Sequence, residues 1–597
     1  MFKDFIVEKI GREVRFLEQL RYRNITAVKE LTATEEPKDF TYPGFIKPGK
    51  ASKKINIGEF WSGRDRYLWI HTEFETPKEW KGKDTLGFFD FGLTGGGHNS
   101  GFESLLFIDG EPYQGVDSNH REVFFKSQAG KKMTFDFRLW SGLEGGGPKR
   151  IMDHQIKAAF FCTLEPAVDE LYYLLKNMVL TVKELKSEDP AQTKLQNILT
   201  EGYKFLDFTN PGSEAFIASV GKALEYYRKN LKALGRQKDV SVSFIGHTHI
   251  DLSWLWRYKH TREKGERSFS TVLRLMERYP EYIFLQTQAQ IYDSIKEDHP
   301  DLYKAIAKRV AEGRWEASGS MWVEADCNIP SGESLVRQIL YGKGFFKREF
   351  GVDNTFLWLP DVFGYNWALP QILKKSGIDT FITTKISWSE INRMPHDTFK
   401  WTGMDGSSVL THFITTPDTG NAIYYTYNGM ILPSTVKGIW ETYRDKAGTK
   451  SEEYHIFAAP ARAVVPFGKS TGIGVIFDKC RKAEFIFQHF YDIYVIPAGK
   501  IRGRLNNPLV AVQGAAAGNT KSPDSIFTLF GYKGFNFGKY IIQSLFKIPV
   551  RRKGFFAHYL SLSTAQRDRG FSTAYVNSNI NFLITHLNSP FDDLLTD

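Results

Sequence analysis

The stretch VSVSFIGHTHIDLSWLW (240–256) decides how the centre of this chain folds. A short apolar run passes at once into His247, His249 and Asp251, with Trp254 and Trp256 just beyond. The texture repeats downstream. The runs YIFLQTQ (282–288), RWEASGS (314–320), TFLWLP (355–360) and DTFITT (379–384) alternate with amphipathic stretches such as DLYKAIAKRVAEG (301–313) and GESLVRQILYGKGFFKREFG (332–351). Strands and helices alternating at this spacing predict parallel strands with right-handed crossovers. Residues 239–455 therefore read as an α/β domain, barrel-like and mainly parallel.

Folds of this kind bind ligands beyond the carboxyl ends of their strands, where loops and helix N-termini converge. The residues after each run are thus the candidates: His247, His249 and Asp251; Gln288; Trp322, Glu324 and Asp326; Asp361; Lys385 and Trp388. Alternate residues of an extended loop project to one side, so H-x-H-x-D can offer imidazole and carboxylate to one cation. Zinc suits that mixed nitrogen and oxygen set, and Asp361 from another strand end strengthens it. The alternative is a histidine hydrogen-bonded within a turn. Aromatics beside carboxylates fit a sugar, whose C–H face stacks on Trp while its hydroxyls need acceptors. Trp358, inside a strand, reads as core; Trp254, Trp256 and Trp322 lie in loops and read as facing a ligand.

Outward from this centre the pattern changes. Residues 1–30 carry apolar positions at helical spacing (Phe5, Ile6, Ile10, Val14, Phe16, Leu17, Leu20) and predict an N-terminal helix. Residues 31–164 contain short alternating runs, YLWIHTEFE (67–75), TLGFFDFGL (85–93) and KMTFDFRLW (132–140) among them, and predict an antiparallel β-sandwich. Helical periodicity returns over 165–238, a helical connector. Residues 456–597 form an atypical basic tail. Several domains are required in any case, since one hydrophobic core stops growing near about 250–300 residues and the chain has 597.

The tail holds most of the charge. From 461 to 597 there are 17 Lys and Arg against 8 Asp and Glu, so +9 of the net +10 lies there. Phe535, Phe537 and Tyr540 are interleaved with Lys533 and Lys539, which keeps a nucleic-acid face as a minor alternative, but no nucleic-acid partner is expected. Cys162, Cys327 and Cys480 show no CxxC spacing, so neither a disulfide framework nor a thiolate metal site is indicated. The N-terminus lacks an apolar signal segment and no run of about 18 apolar residues occurs. These features predict a soluble, cytoplasmic protein without a membrane partner; an oligomer is left open.

Five segments carry a resemblance: GHTHIDLSWLW (246–256), LQTQAQIYDSIKEDHPDLY (285–303), GRWEASGSMWVEADCNIPSGESLVRQILYGKGFF (313–346), LWLPDVFGYNWALPQILKKSGIDTFITTKISW (357–388) and PHDTFKWTGMDGSSVLTHF (395–413). They resemble glycoside hydrolase family 38, the retaining α-mannosidases, and FIDGEPYQGVDSNHREV (107–123) looks like the N-terminal domain of its cytosolic and bacterial branch. The resemblance implies one Zn2+ per chain, held by His249, Asp251 and Asp361. It implies that Asp361 is also the nucleophile, that Trp254 and Phe363 line the mannose subsite, and that the substrate is an α-mannoside oligosaccharide. Near residue 465 the family carries a PFG-x-GDGGGGP-like segment with the general acid/base, and later an FHD-like segment with a fourth zinc ligand. Here the chain reads VVPFGKSTGIGVIFD (464–478) and has no FHD. Asp478, His455, His489, His558 and His586 lack the expected surroundings, so the acid/base stays unassigned and impaired turnover is implied. Two other readings stay open: a non-catalytic mannoside-binding remnant, and a metal-dependent amidohydrolase, which needs further histidines at later strand ends.

Overall fold

The computed structural model describes residues 2–93, 101–144, 148–234, 240–388, 396–417, 424–427, 429–444 and 454–458. The expectations for the tail, including Asp478, His489, His558 and His586, lie outside them.

The first helix, Phe2–Leu20, buries Val7, Ile10, Val14 and Leu17 against Pro166–Glu184 in a bundle with Pro190–Tyr203 and Glu214–Ala233. Spacings of three and four make this the apolar stripe. Phe5 and Phe16 fall off it and are exposed. The helix expected over 1–30 ends at Leu20. Arg21 is buried in ion pairs with Glu122 and Asp169, and Tyr22–Ala27 turns into a strand paired antiparallel with Ala158–Leu164.

That strand is the edge of a four-stranded sheet with Ala158–Leu164, Thr85–Asp90 and Glu122–Phe124. Opposite lies an antiparallel six-stranded sheet in the order Lys53–Ile55, Leu31–Glu35, Tyr67–Glu75, Lys132–Trp140, Glu103–Ile108, Glu111–Gly115. Phe89 and Phe161 from the first sheet meet Phe135, Phe137 and Leu106 from the second in one core. Period-two alternation puts Phe135, Phe137 and Leu139 on this inner face. The other face is not left to solvent: the helix Tyr258–Arg278 packs on part of it, pairing Glu263 with Arg138 and accepting the Gly115 N–H at Thr271, and Phe40, Phe45 and Ile46 pack on Trp69, Leu105 and Phe107.

Beyond residue 240 the parallel strands are Gly246–His247, Phe284–Gln286 and Trp315–Ala317 in one sheet, and Phe356–Leu359, Thr380–Thr383 and Ser408–Phe413 in another, with Thr398–Thr402 antiparallel at its edge. Val240–Phe244 pairs parallel with Tyr454–Ala458. Helices Ala289–Asp298, Pro300–Ala311, Gly332–Phe350 and Leu369–Lys375 fill the crossovers. Gly332–Phe350 shows how local chemistry sets the bounds. Ser331 accepts the Ser334 N–H at its start, and Gly351 ends it at φ 70°, where a glycine carries no Cβ penalty. Among the described residues these sheets do not close, which corrects the barrel-like expectation to a mixed α/β arrangement of several sheets. Closure needs an unbroken ladder. Here one strand is two residues long, and the two larger sheets meet through a long bond from the Trp358 N–H to the Gly319 carbonyl, 3.5 Å. No described helix is long and apolar enough to cross a membrane.

Three buried histidines in different parts of this fold are held neutral. His154 accepts the Leu93 N–H at Nδ1 and donates from Nε2 to the Ser141 carbonyl; His260 accepts the Arg257 N–H at Nδ1 and donates from Nε2 to Asp65; His412 shares a hydrogen bond with Thr398. Burial pushes His154 down, His260 down to about 3 and His412 down to about 4, from an ordinary 6.5. Their folded forms bind fewer protons than the unfolded chain, so stability is full above about pH 6.5 and falls as pH drops toward 4 and 3. Thermal melts between pH 7 and 4 should therefore show a monotonic fall in Tm; a Tm independent of pH across that window contradicts the neutral assignment.

Candidate metal and sugar site

His249 and Asp251 leave the strand Gly246–His247 on an extended loop, and the residue between them, Ile250, points the opposite way into the core. Asp361 comes directly after the strand Phe356–Leu359 and Pro360. The three converge: ligand atoms of His249, Asp251 and Asp361 all lie within 4.8 Å of one another. His249 Nε2 is 3.3 Å from Asp251 Oδ1 and 3.6 Å from Asp361 Oδ2. His247 does not join them. It is buried beside the Trp358 ring, centroids 5.4 Å apart, and burial followed by the nearby His249 charge brings its pKa down to about 3. Of the H-x-H-x-D pattern only the last two residues face the cluster.

Three further side chains complete the surroundings. Glu324 Oε1 lies 3.2 Å from His249 Nδ1. Lys385, in the turn after Thr380–Thr383, places Nζ 2.5 Å from Asp361 Oδ1 and 4.1 Å from the centroid of Trp388. Tyr427 lies beside Asp361 closely enough to help lower its carboxyl, and packs its ring 4.9 Å from that of His249. The sequence marks Glu324 and Lys385 as strand-end residues without giving them a role, and Tyr427 carries no motif at all.

The electrostatics arise from crowding. Burial disfavours charge on His249, yet Glu324 and Asp251 override it and hold the imidazole well above its ordinary range. Burial would raise Asp361, but Lys385 and His249 beside it bring its carboxyl below the usual value. At Glu324 burial wins over His249 and the carboxyl is raised; Tyr427 is pushed well up by burial and by Asp361. Three carboxylates thus face one imidazole and one ammonium. A dication with a neutral imidazole would bring the local charge to zero, and one nitrogen plus carboxylate oxygens is a donor set that zinc accepts. The residues present fit such an ion. The amidohydrolase alternative needs additional histidines, and the described cluster contains one.

The aromatics divide differently from expectation. Trp358 is core, as its place in a strand implies. Trp256 is buried too, its indole N–H donating to Thr261, and Trp322 packs on the core with its N–H on Gln290. Trp256 is a correction: a loop position did not make it ligand-facing, because its loop is folded back on the helix Tyr258–Arg278, whereas Trp322 stays partly exposed against the neighbouring helices. Trp254, half-buried, stands edge-on to Trp256, centroids 5.4 Å apart, beside Tyr67 and Trp140 of the sandwich. Phe363, also half-buried, lies two residues after Asp361.

Residues 239–456 match the family described as "Glycosyl hydrolases family 38 N-terminal domain". Alpha-mannosidase G of Dictyostelium discoideum is 32% identical over 428 residues, covering 68% of this chain and 38% of that protein. Alpha-mannosidase 2C1 of Homo sapiens is 33% identical over 362 residues, 58% of this chain and 33% of that protein. Alpha-mannosidase of Saccharomyces cerevisiae is 48% identical over 173 residues, 29% and 16%. The chain thus spans well under half the length of these relatives. The stretch that brings His249, Asp251 and Asp361 together is thus the one that matches the glycosyl hydrolase family 38 N-terminal domain.

Proposed function

We propose that the chain carries the nucleophile and terminal-sugar site of a retaining α-mannosidase acting on terminal α-mannosides of oligosaccharides, in the cytosol. The observation that carries this reading is the convergence of His249, Asp251 and Asp361 from two separate strand ends. Zn2+ held by these three would supply Lewis-acid binding and orientation of sugar hydroxyls. Asp361 is kept ionised by Lys385 and His249, as a nucleophile must be. Its carboxylate oxygen attacks the anomeric carbon as the bond to the leaving oxygen breaks through an oxocarbenium-like transition state; water then cleaves the glycosyl ester with overall retention. Trp254 and Phe363, three and two residues after Asp251 and Asp361, would offer ring faces to the mannose. Cys162 and Cys327 are free thiols, in keeping with a reducing compartment.

The test is covalent trapping. A fluorinated mannosyl donor, which slows breakdown of the ester, should label a peptide containing Asp361. Label elsewhere removes Asp361 from the role of nucleophile. Mannoside binding with neither label nor turnover assigns the chain to the non-catalytic alternative.

A further inference from the structure

We propose that Glu324 is a positioning residue that fixes which nitrogen of His249 faces the cation. The proposal rests on the metal-site reading above and extends it to a residue outside the ligand set.

The two ring nitrogens of His249 are divided between different partners. Nδ1 is 3.2 Å from Glu324 Oε1, whereas Nε2 is 3.3 Å from Asp251 Oδ1 and 3.6 Å from Asp361 Oδ2. A neutral imidazole has one N–H and one lone pair, and a carboxylate can only accept. With Glu324 as the acceptor, Nδ1 carries the proton and the Nε2 lone pair is aimed at the ligand cluster. A carboxylate behind a metal-bound histidine orients the ring and makes it a better donor.

Glu324 is itself held so that it can do this. The Thr287 hydroxyl donates to the same Oε1 at 3.2 Å. The Glu324 backbone N–H donates to Gln288 Oε1 at 3.2 Å, and Gln288 Nε2 donates to the Ile250 carbonyl at 2.7 Å. Gln288 therefore clips the Glu324 segment to the residue between His249 and Asp251. It does so from φ 68°, a left-handed conformation that a non-glycine side chain keeps only when its surroundings over-determine it. The Glu324 side chain is 6% exposed, and its second oxygen, Oε2, has no hydrogen-bond partner among the described residues. A buried carboxylate left half-satisfied contributes little to folding, and what its other oxygen does hold is the His249 ring, with the Thr287 hydroxyl beside it.

The full chain is titrated with Zn2+ against a chromophoric chelator, comparing wild type with Glu324→Gln and Glu324→Leu. Glu324→Gln keeps the volume and an acceptor oxygen but loses the charge, and should weaken zinc binding about 10-fold; Glu324→Leu loses the acceptor and should weaken it about 100-fold. The visible spectrum of the Co2+-loaded protein should shift in Glu324→Gln while the melting temperature of the metal-free protein holds, a combination that a packing role does not produce. Should Glu324→Leu not fold, the near-isosteric Glu324→Gln carries the test alone. Wild-type zinc affinity and an unchanged Co2+ spectrum in Glu324→Gln overturn the positioning role and leave the metal site standing. A wild-type chain that binds no zinc overturns both.

Discussion

Asp361→Asn lowers kcat on an activated aryl α-mannoside by about 10⁴-fold or more, with the fold intact: this is the largest effect expected of any single substitution in the chain. The amide is nearly isosteric with the carboxylate, so packing against Tyr427 and Lys385 is kept, and the amide oxygen can still accept from Lys385 Nζ. Two things are lost together. The amide cannot form the glycosyl ester, and the cluster gives up one of its two carboxylate ligands, weakening its hold on a cation. An aryl substrate with an acidic phenol isolates this step, because departure of the phenolate needs no proton from the protein. Steady-state rates, with circular dichroism as the control for folding, check the outcome. A variant retaining more than about a tenth of the wild-type rate excludes Asp361 as the nucleophile.

Features set by chain order were legible in the sequence. Ligand-facing positions in an open α/β sheet come immediately after an apolar run, so reading the positions after 240–246, 314–320 and 355–360 singled out His249, Asp251 and Asp361, whose side chains converge in the structure, and put Glu324 in view. The short alternating runs likewise marked the sandwich strands, because one face of each is apolar. Contacts between residues distant in the chain were not legible. Tyr427 reaches Asp361 from a stretch with no periodic signal, and the role of Glu324 depends on Gln288 pinning one loop to another. The charged half of YKHTREKGERSFS (258–270) misleads most. By composition it belongs in water, yet Glu263, Lys264, Glu266 and Arg267 are buried, each facing a charged or hydroxyl partner from the sandwich. Complementary charge on both surfaces replaces the apolar face that a packed helix ordinarily shows, and no one-dimensional pattern reports such a match.

Arg138→Met tests that buried charge layer directly, with an expected loss of about 3–5 kcal/mol in stability. The Arg138 side chain is 7% exposed and binds Glu36 through two bonds of 2.6 and 2.9 Å and Glu263 through one of 2.9 Å, with its guanidinium 4.1 Å from the Tyr67 ring centroid. Met fills much of the volume, so the cost comes from stranding two buried carboxylates rather than from a cavity. Burial alone would raise the Glu263 carboxyl, and Arg138 and Arg267 bring it below its ordinary 4.5. That depressed value sets the sign of the pH effect. In the wild type this contribution is present above about pH 4.5 and is lost as pH falls below it, whereas in the variant a proton can neutralise the stranded carboxyl, so the difference between the two proteins is largest near pH 7 and shrinks in acid. Urea denaturation at pH 7 and pH 5 measures it. Removing both carboxylates as well, in Arg138→Met with Glu36→Leu and Glu263→Leu, should recover most of the loss, because a buried ion network is seldom better than its apolar replacement. The consequence reaches the site. Glu263 lies on the first turns of the helix whose Thr261 hydroxyl bonds the carbonyls of Asp251 and Leu252 at 2.9 and 2.7 Å, so a helix loosened from the sandwich also loosens the loop that presents Asp251. Zinc affinity should therefore fall in Arg138→Met although no ligand is touched; an affinity equal to that of the wild type means that the sandwich stabilises this domain without shaping its site.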